Sequence, residues 1–112
     1  MNDDEARELL RTERARVESL LDEAVRSGLD DRLAAGEPGN RSDTAEPLTS
    51  ELTEDAVVAG MRDRLEAIGR AEARLAAGTF GRSVRSGTPI DDDRLRADPA
   101  AELTVEEAQR GS

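Results

Sequence analysis

The sequence contains no cysteine, histidine, lysine or tyrosine, and Phe80 is its only aromatic residue. Without cysteine there are no disulfides, and the thiolate and imidazole ligands that zinc prefers are both missing. Most side chains used as general bases or nucleophiles are also missing, and no Gly-x-Ser-x-Gly or phosphate-loop motif occurs. We therefore expect a protein that is not an enzyme and that carries no resident cofactor.

Long apolar runs are absent as well, and the first residues are acidic rather than basic. We therefore expect no transmembrane segment, no signal peptide and a cytoplasmic location. The 112 residues carry a formal net charge of −10, which argues against nonspecific binding to nucleic acid or to an anionic membrane. The arginines near the start, interleaved with glutamates, indicate a solvated face of ion pairs. They are Arg7, Arg11, Arg14 and Arg16.

Apolar residues recur at three- and four-residue spacings in two segments, as on the buried face of a helix. The first set is Ala6, Leu9, Leu10, Val17, Leu20, Leu21, Ala24 and Val25, and the second is Val57, Val58, Met61, Leu65, Ile68, Ala71 and Leu75. Leu10, Val17 and Ala24 are separated by whole heptads, which is typical of a coiled-coil seam. Because neither helix can bury its apolar face alone, the two should pair as an antiparallel helical hairpin over residues 1–77.

Residues 36–50 contain helix breakers and small polar residues without a period, so we interpret them as the loop at the hairpin tip. The second helix is expected to begin near Thr49 to Thr53, where hydroxyl groups can cap it, and to end at Gly78. Gly28 weakens the first helix, because glycine costs about 1 kcal/mol relative to alanine. The pattern leaves open whether the helix ends there.

After the hairpin, glycines, prolines and apolar residues follow an ordered pattern over residues 75–109, LAAGTFGRSVRSGTPIDDDRLRADPAAELTVEEAQ. This pattern resembles the C-terminal finger of the DksA/TraR family, bacterial regulators that bind RNA polymerase. The matching positions are Gly78, Thr79, Phe80, Gly81, Gly87, Pro89, Ile90, Arg94, Leu95, Pro99 and Ala101. We therefore expect an all-α fold: a long antiparallel hairpin followed by a small finger-like subdomain at residues 78–112 with a short C-terminal helix.

In that family four cysteines of the finger bind zinc, and their positions correspond here to Ser83, Ser86, Thr104 and Glu107. Only Glu107 among them could coordinate a metal, so we expect no zinc and a degenerate, metal-free finger. Thr104 and Glu107 have the spacing of a capping box, S/T-x-x-E, at the start of a helix. Ser83 and Ser86 could hydrogen-bond backbone groups in the turn that they occupy.

Such hydrogen bonds contribute about 1 kcal/mol each, far less than the roughly 10–16 kcal/mol of a structural zinc ion, so apolar packing should stabilise the finger. The expected core residues are Phe80, Ile90, Leu95 and Leu103. Residues 91–96, DDDRLR, indicate a capped helical turn that ends before Pro99. Their three aspartates lack the spaced ligands of a calcium-binding loop.

Members of the family carry an acidic D-x-x-D-x-A motif at the hairpin tip, which enters the secondary channel of RNA polymerase. Residues 40–45, NRSDTA, fit this motif as N-x-x-D-x-A. The resemblance implies that Asn40, Asp43 and Ala45 contact the polymerase and that Asp43 is the key acid. Asn40 departs from the motif, because it keeps the size and hydrogen bonding of aspartate but loses its charge.

The function that we predict is a non-enzymatic transcription regulator that binds RNA polymerase without direct contact to nucleic acid, as a monomer or weak homodimer. An alternative is a helical adaptor in which the apolar stripe mediates self-association, without polymerase binding. A third and more distant alternative is a metal-dependent hydrolase that uses the many carboxylates.

Overall fold

The computed structural model describes the backbone of residues 1–35 and 45–110, and the side chains in these ranges except at 29–54. Four helices are present in the described ranges: α1 (Asp3–Ala35), α2 (Ala45–Ala77), α3 (Asp92–Ala97) and α4 (Val105–Arg110). The same ranges contain no β-strand, although Arg82 and Pro89 form an isolated antiparallel bridge. The predicted all-α fold with a long helical hairpin is confirmed. None of the helices in the described ranges is long and apolar enough to cross a membrane.

The chain divides into two compact units: Met1–Ala15 with Leu65–Ser112, and Arg16–Arg64. The buried residues of α1 and α2 in the first unit are Ala6, Leu10, Ile68 and Ala71, and Val17 is buried in the second. Burial of Leu10 and Val17 confirms this part of the predicted heptad seam. Leu20, Val25 and Val57 belong to the predicted stripes but are 38%, 44% and 45% exposed. Two paired helices bury a narrow seam, so the outer residues of a wide stripe stay in contact with solvent.

Helix α1 begins as its sequence predicts and continues past Gly28, the residue expected to weaken it. The side-chain oxygen of Asn2 accepts a hydrogen bond of 2.7 Å from the backbone N–H of Glu5, and three acids occupy the first turn. This capping satisfies a donor that has no partner within the helix, and the acids face the positive end of the helix dipole. Gly28 lies inside α1, which ends at Ala35, so this glycine does not terminate the helix.

Helix α2 begins at Ala45, which makes the predicted start near Thr49 to Thr53 wrong. Residues 45–50, which the prediction placed in the tip loop, are helical. Pro47 is the third residue of the helix, where a backbone N–H has no partner within the helix, so proline is tolerated there. At the other end Gly78 has a φ of 80°, and the N–H of Thr79 donates to the carbonyl of Arg74 at 2.8 Å. This is the glycine-terminated end that the sequence predicts.

The finger is built on a small apolar core. Its members are Ile90, Leu95 and Ala101, with Met1 and Phe80 packed against them. Phe80, Ile90 and Leu95 are therefore confirmed as core residues. Leu103 is not part of the core cluster and is half-buried, and its carbonyl accepts a hydrogen bond of 2.8 Å from Nε of Arg94.

Helix α3 lies where the sequence predicts it, but its aspartates do not cap it. Asp91 occupies the N-cap position without a side-chain capping hydrogen bond. Asp92 instead accepts a hydrogen bond of 3.0 Å from the amino group of Met1, and Asp93 pairs with Arg96 at 3.3 Å. The expectation of a side-chain cap is wrong at this helix, and two of the three carboxylates are used in ion pairs.

Candidate functional site

The first two positions that correspond to zinc ligands lie in a tight turn between Arg82 and Pro89. Ser83 is buried, with 4% of its surface exposed, and its N–H donates to the carbonyl of Thr88 at 2.8 Å. The N–H of Gly87 donates a hydrogen bond to the carbonyl of Ser83 at 2.9 Å, and Gly87 has a φ of 75°. Glycine adopts this backbone conformation at no steric cost, which explains why the turn can be this tight.

The hydroxyl group of Ser83 organises this turn. It accepts hydrogen bonds from the N–H groups of Arg85 at 3.1 Å and Ser86 at 3.2 Å. Ser86 accepts a hydrogen bond of 3.2 Å from the N–H of Thr88, and its hydroxyl donates to that of Thr88 at 2.9 Å. The predicted bonding of Ser83 and Ser86 to loop backbone is confirmed.

The other two positions form a capping box at the start of α4. The N–H of Glu107 donates to the hydroxyl oxygen of Thr104 at 3.1 Å, and the N–H of Thr104 donates to Oε1 of Glu107 at 3.0 Å. Two backbone donors that lack partners within the helix are thus satisfied reciprocally. This prediction is also confirmed.

The two halves of the finger meet at the carboxylate of Glu107. Hydrogen bonding by the hydroxyl of Ser83 is the main cause that lowers the pKa of Glu107 to about 2, and the backbone N–H of Thr104 and the polar hydroxyl of nearby Ser86 add to it. Ser83 can accept from the two N–H groups of the turn and also donate to Glu107, because a hydroxyl accepts two hydrogen bonds and still donates one. The carboxylate of Glu107 is thus surrounded by Ser83, Ser86 and Thr104. These four residues are called here the serine–glutamate cluster.

This cluster suits hydrogen bonding better than metal binding. It offers three hydroxyl groups and one carboxylate, whereas structural zinc takes thiolates and imidazoles in a tetrahedral arrangement. The residues present therefore do not fit a structural zinc ion. Among the residues that the structure describes, no group of three or more His, Cys, Asp or Glu side chains could hold a metal.

Glu102 ties the finger to α2. Its carboxylate accepts hydrogen bonds from Nε and Nη2 of Arg70 at 3.1 and 3.2 Å and from Nη1 of Arg74 at 3.3 Å. The hydrogen bond from Arg70 is the main cause that lowers the pKa of Glu102. Its backbone carbonyl also accepts from the N–H of Val84 at 2.9 Å, which joins the serine turn to the segment before α4.

A second ion pair connects the finger to α1. Nε of Arg96 donates to Glu5 at 3.0 Å, and this hydrogen bond is the main cause that raises the pKa of Arg96. Together with the bond between Met1 and Asp92, the contact places α3 against the start of α1.

Of the three predicted tip residues, Asn40 and Asp43 lie outside the described residues, and Ala45 is the first residue of α2.

Sequence reasoning missed Glu102, because its arginine partners are 32 and 28 residues away and no local spacing connects them. It also missed Met1 as a residue that packs on the finger core.

The fold of this chain is similar to that of a transcription factor of known structure. The structure of transcription factor DksA2 from Pseudomonas aeruginosa matches with a TM-score of 0.82 and 25% sequence identity, over 97% of this chain and 81% of that chain. The chain has a DksA-like fold. The predicted resemblance to the DksA/TraR family is confirmed, and the fold is one that a transcription factor uses.

One curated protein gives a sequence match to this DksA-like chain. General stress protein 16O of Bacillus subtilis (strain 168) is 30% identical over 96 residues, which are 84% of this chain and 54% of that protein. The chain thus spans about half the length of this relative. No protein-family model matches the sequence.

Proposed function

We propose that this chain is a non-enzymatic transcription regulator that binds RNA polymerase through its helical hairpin. The observation that carries the proposal is the DksA-like fold, shared with a transcription factor over 97% of the chain. A regulator of this kind acts by placing side chains inside a partner. It therefore needs no catalytic residues of its own, which agrees with the missing histidine, cysteine, lysine and tyrosine.

In this proposal the hairpin tip enters the secondary channel of the polymerase, with Asn40, Asp43 and Ala45 as the contacting residues. Asp43 lies in the sequence between the end of α1 at Ala35 and the start of α2 at Ala45. Each helix has 33 residues, which corresponds to a length of about 50 Å. Inside the channel, Asp43 acts on basic groups or on a metal ion.

The finger in this proposal folds without metal and supports the base of the hairpin. Hydrogen bonds of the serine–glutamate cluster connect its two halves, where the family has four zinc ligands. The ion pairs of Glu102 with Arg70 and Arg74 support this role, since they connect the finger directly to α2.

The proposal is tested by binding of the full chain to purified RNA polymerase core enzyme and by transcription from a defined template. Asp43→Ala is compared with Glu18→Ala, a matched loss of one carboxylate from an exposed position of α1. We expect saturable binding that a known secondary-channel protein displaces, and altered transcription with Asp43→Ala alone. Absence of binding at high micromolar concentration would reject the proposal.

A second candidate function is self-association as a helical adaptor. Leu20, Val25 and Val57 support it, because all three are exposed and lie in the unit Arg16–Arg64. Sedimentation equilibrium from micromolar to millimolar concentration separates the two candidates. A mass that doubles with concentration, together with no polymerase binding, would favour the adaptor.

A further inference from the structure

A groove in the first unit has no role in the proposed insertion of the hairpin tip. It has a volume of about 360 Å³ and is lined by residues of both α1 and α2. Apolar residues Leu10, Leu75 and Ala76 contribute to its lining. The rest of the lining is charged and consists of Arg7, Arg11, Arg14 and Glu72. Three arginines and one glutamate give this lining a net positive charge, although the whole chain has a net charge of −10.

The arginines of this groove differ in how firmly they are held. Arg14 makes a two-point contact with Glu72 across the helix pair. Arg7 and Arg11 pair with Asp4 and Glu8 one turn earlier, with 56% and 70% of the two arginine side chains exposed. Exposed pairs within one helix contribute little and are screened by salt, so carboxylates of another molecule can replace Asp4 and Glu8 as partners.

The spacing of the two exposed arginines indicates that a helical ligand would match them. Arg7 and Arg11 are four residues apart on α1, so they project from the same face about one helical turn apart. A helix lying along the groove presents carboxylates at the same spacing when two acids are four residues apart, and its apolar side chain between them can contact Leu75. Nucleic acid and anionic membranes fit poorly, because the −10 charge of the whole chain repels an extended polyanion.

We propose that this groove, called here the arginine groove, binds an acidic α-helical segment of a protein partner. The segment carries two carboxylates one turn apart, which pair with Arg7 and Arg11, and an apolar side chain such as leucine against Leu75. With RNA polymerase as that partner, the inference rests on the proposed function and adds a contact at the base of the hairpin to the contact at its tip.

The groove is tested first without the polymerase. An alanine-based helical peptide with two glutamates four residues apart around one leucine is titrated into the ¹⁵N-labelled full chain. We expect saturable NMR shifts at residues 7–11 and 75–76, absent with a peptide in which glutamine replaces both glutamates. Arg7→Gln/Arg11→Gln should weaken peptide binding about tenfold, since two charge-assisted contacts are lost. No saturable shift in the groove overturns the inference, whatever the polymerase does.

The polymerase is tested second, with charge-reversed variants of the full chain. Arg7→Glu/Arg11→Glu is compared with Arg85→Glu/Arg110→Glu, which reverses two exposed finger arginines that do not line the groove. Helicity and thermal midpoints are measured first, and the glutamine double variant replaces the glutamate one if it does not fold. We expect about tenfold weaker polymerase binding for the groove variant and less than about twofold for the control.

The two experiments distinguish failure of the groove from failure of the proposed function. Equal polymerase binding by the two charge-reversed variants overturns the polymerase as the occupant. If the peptide binds in the groove while the unmodified chain does not bind polymerase, the proposed function fails. The groove then remains a site for an acidic helix of another protein.

Discussion

The finger and the hairpin are stabilised in opposite ways. The hairpin depends on a narrow apolar seam, with Leu10 and Ile68 almost completely buried and with side chains such as Leu20 left in solvent. The finger has a core of only a few residues, but hydrogen bonds and ion pairs occur throughout it. A small domain without disulfide or metal rarely has enough core for stability. The comparison indicates that polar contacts, and docking onto α1 and α2, supply what its core lacks.

Introducing four zinc ligands should change the stability of the finger more than the other substitutions proposed below. Ser83→Cys/Ser86→Cys/Thr104→Cys/Glu107→Cys introduces four thiolates at side chains that now share one hydrogen-bonded cluster. We expect one tetrahedral zinc site per chain and a large gain in stability of the finger, since structural zinc supplies about 10–16 kcal/mol in small fingers.

The measurement is the absorbance of bound Co²⁺ under reducing conditions, followed by displacement with Zn²⁺. The matched control is the double variant Ser83→Cys/Ser86→Cys, which should bind metal far more weakly. A quadruple variant with no tetrahedral cobalt spectrum would contradict the correspondence of these positions to zinc ligands.

Truncation of the finger core should have the next largest effect. Leu95 is 2% exposed and packs with Ile90 and Ala101, so Leu95→Ala should destabilise the finger by about 2–5 kcal/mol. Hydrogen exchange should show loss of protection at residues 80–108, while amides near Val17 stay protected. Val84→Ala is the control, because Val84 is exposed and its truncation should change stability by less than about 0.5 kcal/mol.

The structural features that can be predicted from the sequence are those formed by residues close together in the chain. Apolar spacing predicted both helices, and the four-residue pattern of Thr104 and Glu107 predicted the capping box, because each signal lies within one or two turns. The start of α2 was mispredicted because Pro47 resembles a loop residue but occupies the first turn of a helix, where it costs little. The pairing of Glu102 with Arg70 and the packing of Met1 on the finger core depend on tertiary structure, so no window of sequence contains both partners.

Acid should weaken the finger before the hairpin. Glu107 has a pKa of about 2 in the folded chain, below the value of about 4.3 for a free glutamate. Its charged form therefore stabilises the fold fully above about pH 4.3, and this contribution is lost as the pH falls from there towards 2. Thermal midpoints of the finger between pH 6 and pH 2, followed by NMR, should fall more steeply in the natural chain than in Glu107→Gln. Parallel pH profiles for the two proteins would contradict this role, and Glu106→Gln serves as the exposed control one residue away.

The smallest expected effect concerns the connection between the two regions. Glu102→Gln removes the charge that Arg70 and Arg74 share, but these groups are partly solvated, so the loss of stability should stay below about 1 kcal/mol. The more informative measurement is the orientation of the finger rather than its stability.

Residual dipolar couplings should show a changed orientation of α3 and α4 relative to residues 65–77 in Glu102→Gln and no change in Glu106→Gln. Since screening weakens exposed ion pairs, about 1 M salt should reproduce part of this change in the natural chain and add little to the variant. Unchanged couplings in Glu102→Gln would mean that the apolar core alone positions the finger, and that the ion pairs follow from its placement rather than cause it.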